Sequence, residues 1–310
     1  MKKNLFFLLI ATVVASAQNT YTTKEIEINT LLKGTMFLPN DSNSKTDLVI
    51  LLSGSGPTDR NGNQVGMENN SLLYFSEALA KSNIAAFSFD KRVVVMAKDR
   101  TSSEKDMKFD DLINDAKEVI AYFKNKKQFR HIIIAGHSEG SLVGMMAAQE
   151  NADAFISIAG AGKSVDETII DQITKQAPSM KEEVATGLAS LKKGIVFESK
   201  NPMLISIFRP TVQPYLISWI KFNPQTEIKK LKIPVLLING TKDMQVEVAD
   251  AQLLKEAKPD AQMEIILNMN HVFKNIKTDD TSENMATYSN PNLENIPELI
   301  FVVNRFIKAL

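Results

Sequence analysis

The stretch Ile132-Ile133-Ile134-Ala135-Gly136-His137-Ser138-Glu139-Gly140 decides how the rest of the chain is read. Its apolar, largely β-branched opening predicts a buried strand. From Ser141 to Gln149, the residues Leu142, Val143, Met145, Met146 and Ala147 predict a helix packed on that strand. Between the two lies G-x-S-x-G, whose spacing suits a serine on a sharp, strained turn with its hydroxyl exposed. Gly136 and Gly140 would let the strand and helix backbones approach each other. The helix N-terminus behind Ser138 would place partial positive charge where an oxyanion forms. Five residues of this pattern are common by chance; the strand before and the helix after give them meaning.

Working outward, the chain alternates strands and helices. Residues 21–39 alternate through Ile26, Ile28, Leu32, Met36 and Leu38 and predict an opening hairpin. Asp47 to Leu52 predicts a second buried strand, running into Ser53-Gly54-Ser55-Gly56-Pro57. Leu72 to Ala80 predicts a helix, Ile84 to Phe89 a strand, and Asp106 to Lys126 a long helix. After the elbow, Ala154 to Ala159 predicts a strand ending at Gly160-Ala161-Gly162. Pro234 to Asn239, Val248 to Ala257, Met263 to Leu267 and Ile296 to Leu310 read as strand, helix, strand and amphipathic helix. This rhythm implies an α/β fold with a mostly parallel sheet and helices on both faces. It breaks between Val165 and Ile228, where helical stretches are interrupted by Pro178, Pro202, Pro210 and Pro214. That segment reads as a helical cap insert over the mouth of a site.

Composition narrows the function. The 310 residues carry 36 basic and 36 acidic side chains, an unclustered balance that gives no reason to expect nucleic acid or an anionic membrane as partner. The absence of cysteine excludes disulfides, thiol catalysis and thiolate metal sites. With only His131, His137 and His271, a histidine-rich metal site is not expected, and no metal or organic cofactor is implied. At the N-terminus, Lys2-Lys3, the apolar run Leu5 to Val14 and Ala15-Ser16-Ala17 read as a signal peptide over 1–17. The expectation is a secreted or periplasmic protein, mature from Gln18, in one domain over 18–310 with the insert at 165–228 and no membrane span.

In such a sheet, sites form at the carboxyl ends of strands. Ser138, Asp243 (after the strand ending at Asn239) and His271 (after the strand ending at Leu267) all stand there, in the order Ser, Asp, His of the α/β-hydrolases. The histidine would take the serine proton, and the aspartate would fix its tautomer and stabilise the imidazolium. His131 begins the central strand at the far end, and His137 reads as a residue lining or buttressing the elbow. Asp90 ends a strand but precedes the serine, and Asp250 falls in a helix. Oxyanion donors are expected from the N–H of Glu139 and that of Ser55, with Gly54 and Gly56 supporting the loop.

The chain resembles α/β-hydrolases of the bacterial esterase and serine-aminopeptidase-like group. Ser53-Gly54-Ser55-Gly56-Pro57-Thr58-Asp59-Arg60-Asn61-Gly62 is similar to the group's H-G-S-G-P-x-D-R-x-G loop, and Asp90-Lys91-Arg92 to its strand-end D-K/R-R-G. Phe208-Arg209-Pro210, Pro214-Tyr215-Leu216, Pro234-Val235-Leu236, Asp243-Met244-Gln245-Val246 and Asn270-His271-Val272-Phe273 also resemble esterases of this group. Two departures stand out: Ser53 replaces a frequent histidine, and Val93-Val94 follows Arg92 where glycine is usual. The resemblance implies a carboxylesterase acting on short acyl esters, with Asp59 and Arg60 supporting the oxyanion loop.

Other activities could use these residues. A serine aminopeptidase would need an acid for a substrate ammonium; Glu139, Asp166 and Glu167 are candidates, though each reads first as solvated surface charge. An acyltransferase would pass the same acyl group to an alcohol or amine. A non-catalytic binding protein is disfavoured by the intact Ser-Asp-His set. The insert's Phe197, Leu204, Ile207, Phe208, Tyr215, Leu216, Trp219 and Phe222 suit an apolar acyl group, but packing on the core is their commoner use. The partner is expected to be a small acyl ester or short peptide; oligomeric state is not legible.

Overall fold

The structure, a computed structural model, describes residues 20–99 and 104–310; the expected signal peptide lies outside them. The strands are β1 (Tyr21–Glu27), β2 (Lys33–Pro39), β3 (Leu48–Leu52), β4 (Ala85–Phe89), β5 (Ile132–His137), β6 (Ala154–Ile158), β7 (Val235–Gly240) and β8 (Gln262–Ile266). They form one sheet in the order β1-β2-β4-β3-β5-β6-β7-β8. The opening hairpin is antiparallel and joins β4 antiparallel, whereas β4, β3 and β5 to β8 run parallel. The helices are α1 (Ser71–Lys81), α2 (Arg92–Asp99), α3 (Phe109–Lys126), α4 (Glu139–Asn151), α5 (Val165–Gln176), α6 (Lys181–Lys192), α7 (Ile205–Phe208), α8 (Gln213–Trp219), α9 (Pro224–Ile228), α10 (Val248–Ala257), α11 (Thr281–Ala286) and α12 (Pro297–Lys308).

The sheet is buried on both faces because β3 and β5 are apolar from Leu48 and from Ile132 onward. Alternate side chains go opposite ways. Ile132 and Ile134 join a layer with Phe109, Leu112 and Ile120 of α3 and Leu142, Val143 and Met145 of α4. Ile133 and Ala135 join Leu72, Phe75 and Leu79 of α1 and Leu299, Val303 and Phe306 of α12. Burying such a side chain contributes about 1.5–3 kcal/mol, so the sheet centre is the stiffest place on which to mount a site.

Helix α2 has no clear signal in the sequence. Val93, Val94 and Val95 are β-branched and read against a helix, yet the chain after Arg92 coils here where glycine is usual. Within residues 165–228, Val184, Leu188, Leu191, Leu204 and Phe208 form a small core of their own. Buried Gln213 clamps it, donating to the Phe197 and Phe208 carbonyls at 2.7 Å each. The segment is tied to the main body at α3: Trp219 stacks on Phe109 with ring centroids 5.2 Å apart, and the Phe109 N–H donates to Ser218 Oγ at 2.7 Å.

Candidate active site

Ser138 sits between β5 and α4 with φ 55° and ψ −120°, a conformation costly for a residue with a Cβ. Its surroundings hold it there. A Cβ on Gly136 would lie 2.2 Å from the Gly140 carbonyl oxygen, and one on Gly140 would lie 2.4 Å from that of Leu52. Both glycines therefore permit the backbone approach that forces the turn. The Ser138 N–H donates to the Ile158 carbonyl of β6 at 3.0 Å, anchoring the elbow to the sheet.

At the end of β7, both carboxylate oxygens of Asp243 are used. Oδ1 accepts the N–H groups of Gln245 and Val246 at 2.9 Å each, and Oδ2 accepts from His271 Nδ1 at 2.8 Å. The loop is braced by Asn239, fully buried, whose amide donates to the Val246 and Glu247 carbonyls. At the end of β8, buried Asn270 shapes the histidine loop. Its Oδ1 accepts the N–H groups of Val272 and Lys274, and its amide donates to Asn284 and Thr287. With Nδ1 bonded to Asp243, the second ring nitrogen of His271, Nε2, is left to carry the lone pair.

His137 does not line an open site. It is buried; its Nε2–H donates to the His271 backbone carbonyl at 2.9 Å, and its ring stands 4.8 Å from Phe273. Burial, and then the nearby His271, hold its pKa well below the ordinary imidazole value, so it remains a neutral brace. His131, Asp90 and Asp250 are all engaged away from the elbow. His131 Nδ1 is 3.1 Å from Asp47 at the far end of the sheet, Asp90 pairs with Arg60 at 2.9 Å, and Asp250 accepts the Gly162 N–H at 2.9 Å.

The loop after β3 approaches the elbow: a Cβ on Gly54 would meet the Ser138 Cβ at 3.3 Å. Gly56 has φ +81°, which a larger residue would adopt only with strain. Arg60 reaches Asp90 and Glu25, and Asp59 Oδ1 accepts the N–H groups of Asn61 and Asn63, so both stabilise the loop's far half. Ser53 Oγ, where histidine is frequent, is buried without a partner. Among the described residues, neither the Ser55 nor the Glu139 N–H has an acceptor within the chain.

Two expectations about acids need correcting. Glu139 is not surface charge: its side chain is 1% exposed and pairs with Lys91 at 2.5 Å. Asp166 is likewise buried and pairs with Lys192 at 2.9 Å. Glu167 is exposed, as a surface charge would be, and accepts from Ser164 Oγ at 2.9 Å in the capping box of α5. The partnerships of Lys91, Asn239 and Asn270 are not readable from sequence. Lys91 and Asn270 stand in the quoted motifs Asp90-Lys91-Arg92 and Asn270-His271-Val272-Phe273, and Asn239 ends a strand, but none of these signals names a partner.

Ser138 and Ser55 line a cavity of about 180 Å³, together with Leu142, Val165, Ile169 and Trp219. A second, of about 450 Å³, shares Ser55, Glu139, Ile169 and Trp219 and continues past Met107, Ile207 and Leu216. Ile207, Tyr215, Leu216 and Trp219 therefore serve both packing and cavity lining. On the other side, Lys163, Thr168, Gln172 and Gln245 connect the Ser138 cavity to a large polar groove bordered by Asp171, Lys175 and Glu247. Among the described residues, no three His, Asp or Glu side chains converge in metal-ligating geometry, and no helix is long and apolar enough to cross a membrane.

A family model described as BD-FAE matches residues 35–257. The chain is 28% identical over 263 residues to the Esterase EstD of Thermotoga maritima; the match takes in 80% of this chain and 59% of that protein's length. Est1E from Butyrivibrio proteoclasticus superposes with a TM-score of 0.58 at 16% identity, over 93% of this chain and 98% of that one. A Pyrococcus furiosus esterase superposes at 0.53 and 17% identity, over 93% and 90%. These likenesses carry the fold, that of the α/β-hydrolases.

Proposed function

The chain belongs to the BD-FAE family, and on that premise we propose that it is a serine carboxylesterase acting through Ser138. The observation that carries the reading is the 2.8 Å bond from His271 Nδ1 to a buried Asp243 carboxylate, at strand ends beside a strained serine elbow. In this reaction Ser138 Oγ attacks the ester carbonyl while His271 Nε2 takes its proton. Asp243 holds the tautomer and stabilises the imidazolium. The Ser55 and Glu139 N–H groups receive the oxyanion. His271 then protonates the leaving alcohol, and water, deprotonated in turn by His271, releases the acid.

The apolar 450 Å³ cavity suits an acyl group from short aliphatic to aryl, and the polar groove suits a hydrophilic alcohol. In support, the related fold of Est1E has been solved with ferulic acid bound. An aminopeptidase is less well supported: Glu139 and Asp166 are each neutralised by a lysine, which leaves neither free for a substrate ammonium. We also propose export, with the mature chain starting at Gln18, which N-terminal sequencing of the exported protein would establish.

The test is hydrolysis of p-nitrophenyl esters of increasing acyl length by wild type and Ser138→Ala. The proposal expects turnover that the variant loses by at least about 10³-fold. Equal turnover by both proteins would refute it.

A further inference from the structure

Asp90, Lys91 and Arg92 are consecutive, yet their side chains go to three places. Asp90 holds Arg60, Arg92 holds Asp115 at 2.6 Å on α3, and Lys91 turns inward beneath the loop after β3. There its Nζ donates to the Gly54 carbonyl at 2.8 Å, to the Gly56 carbonyl at 3.3 Å, and to Glu139 Oε1 at 2.5 Å. The side chains of Lys91 and Glu139 are 10% and 1% exposed, so the pair is drawn out of water. Such a pair is weak evidence for stability, since desolvating two charges offsets their attraction. Its geometry suggests another use.

The Gly54 carbonyl and the Ser55 N–H belong to one planar trans peptide and point in opposite directions. An ammonium that pins the carbonyl on one side aims the N–H to the other, where Ser55 and Ser138 line a common cavity. The next carbonyl, that of Ser55, is held by Thr58 Oγ1 at 2.9 Å and Gln64 Nε2 at 2.8 Å. The other proposed donor is the N–H of Glu139, whose side chain is the partner of the same ammonium. Tyr215 of the cap brings its hydroxyl to the Glu139 carboxylate; burial first, and then that carboxylate, keep the phenol protonated well above its ordinary range.

We infer that Lys91, acting through Glu139 and the Gly54 carbonyl, is the positioning residue that sets both oxyanion donors at once. The inference rests on the serine-esterase reading. Lys91 touches neither the nucleophile nor the proton path, and its contribution is fixed orientation of N–H groups before charge develops.

The experiment compares Lys91→Met, and Lys91→Met with Glu139→Gln, against wild type on p-nitrophenyl acetate. The double variant leaves no unpaired buried charge and keeps the test valid where the single variant misfolds. The expected result is a fall in kcat of about 30-fold, with KM within about threefold, because mis-aimed donors weaken transition-state binding alone. A trifluoromethyl ketone, whose hemiketal oxygen occupies the same place, should lose affinity by the same factor. Double-variant kcat and ketone affinity within about twofold of wild type would overturn the inference, as would a lower kcat with unchanged ketone affinity. If wild type and Ser138→Ala turn over equally, it is the esterase reading that has failed; if Ser138 is required and the Lys91 variants are unimpaired, only the present inference has.

Discussion

The Nε2–H of His137 donates to the backbone carbonyl of His271 across 2.9 Å, so the residue before the elbow serine braces the loop that carries the other histidine. His137→Phe keeps an aromatic ring beside Phe273 but strands a buried carbonyl, which should cost about 1–3 kcal/mol in denaturant unfolding. The pH dependence has a definite sign. His137 is held neutral in the fold and titrates near 6.5 when unfolded, so below that pH the unfolded chain binds the extra proton and stability falls. Wild type should lose up to about 1.4 kcal/mol per pH unit below 6.5 from this group, and His137→Phe should lack that component.

Asp243 uses one oxygen for its own loop and the other for His271. Asp243→Asn preserves the shape while allowing an amide N–H to face Nδ1, which favours the wrong imidazole tautomer. We expect kcat/KM on p-nitrophenyl acetate to fall by about 10³–10⁴-fold with a thermal midpoint near that of wild type.

Gly140 and Gly66 separate two meanings of glycine. Gly140→Ala would drive a Cβ to 2.4 Å from the Leu52 carbonyl oxygen, between a core strand and the elbow helix. It should destabilise by about 3 kcal/mol or leave the protein insoluble. Gly66→Ala meets nothing within 4 Å and suffers only from its φ of +81°, so about 1 kcal/mol is expected. Urea unfolding of the two variants checks the contrast.

Lys274, fully buried beside the histidine loop, donates to the Leu293 carbonyl at 2.6 Å and Asn295 Oδ1 at 3.0 Å, both uncharged. Burial lowers its pKa from 10.5 to about 8. Between pH 8 and about 10.5 the unfolded chain binds more protons than the folded one, so this group makes stability rise with pH. Relative to Lys274→Met, wild type should gain about 3 kcal/mol between pH 7 and pH 10.5 in paired unfolding curves. A constant difference would count against the buried-lysine assignment.

The sheet is legible in the sequence because buried parallel strands are continuous apolar runs, and the boundaries of α10 agree with the expectation. Ser138, Asp243 and His271 can be picked out as candidates because each follows a strand whose carboxyl end has a predictable place. Lys91 cannot. Its contacts with Gly54 and Glu139 span 37 and 48 residues and exist only once three loops meet. Helix α2 is hidden by three valines. Asp166 and Glu139 read as surface charge because composition does not show which lysine comes to meet each of them. Among the aromatic residues of 165–228, Phe208 only packs whereas Trp219 packs and also lines a cavity, and side-chain direction alone separates the two.

The central claim is that Ser138 is the activated nucleophile. Its most direct test is to treat the folded protein with a fluorophosphonate and map the adduct by peptide mass spectrometry. The account predicts a single stoichiometric adduct on Ser138, abolished in Ser138→Ala and strongly slowed in His271→Ala. No adduct on folded wild type, or an adduct on another residue with Ser138 unmodified, would contradict it.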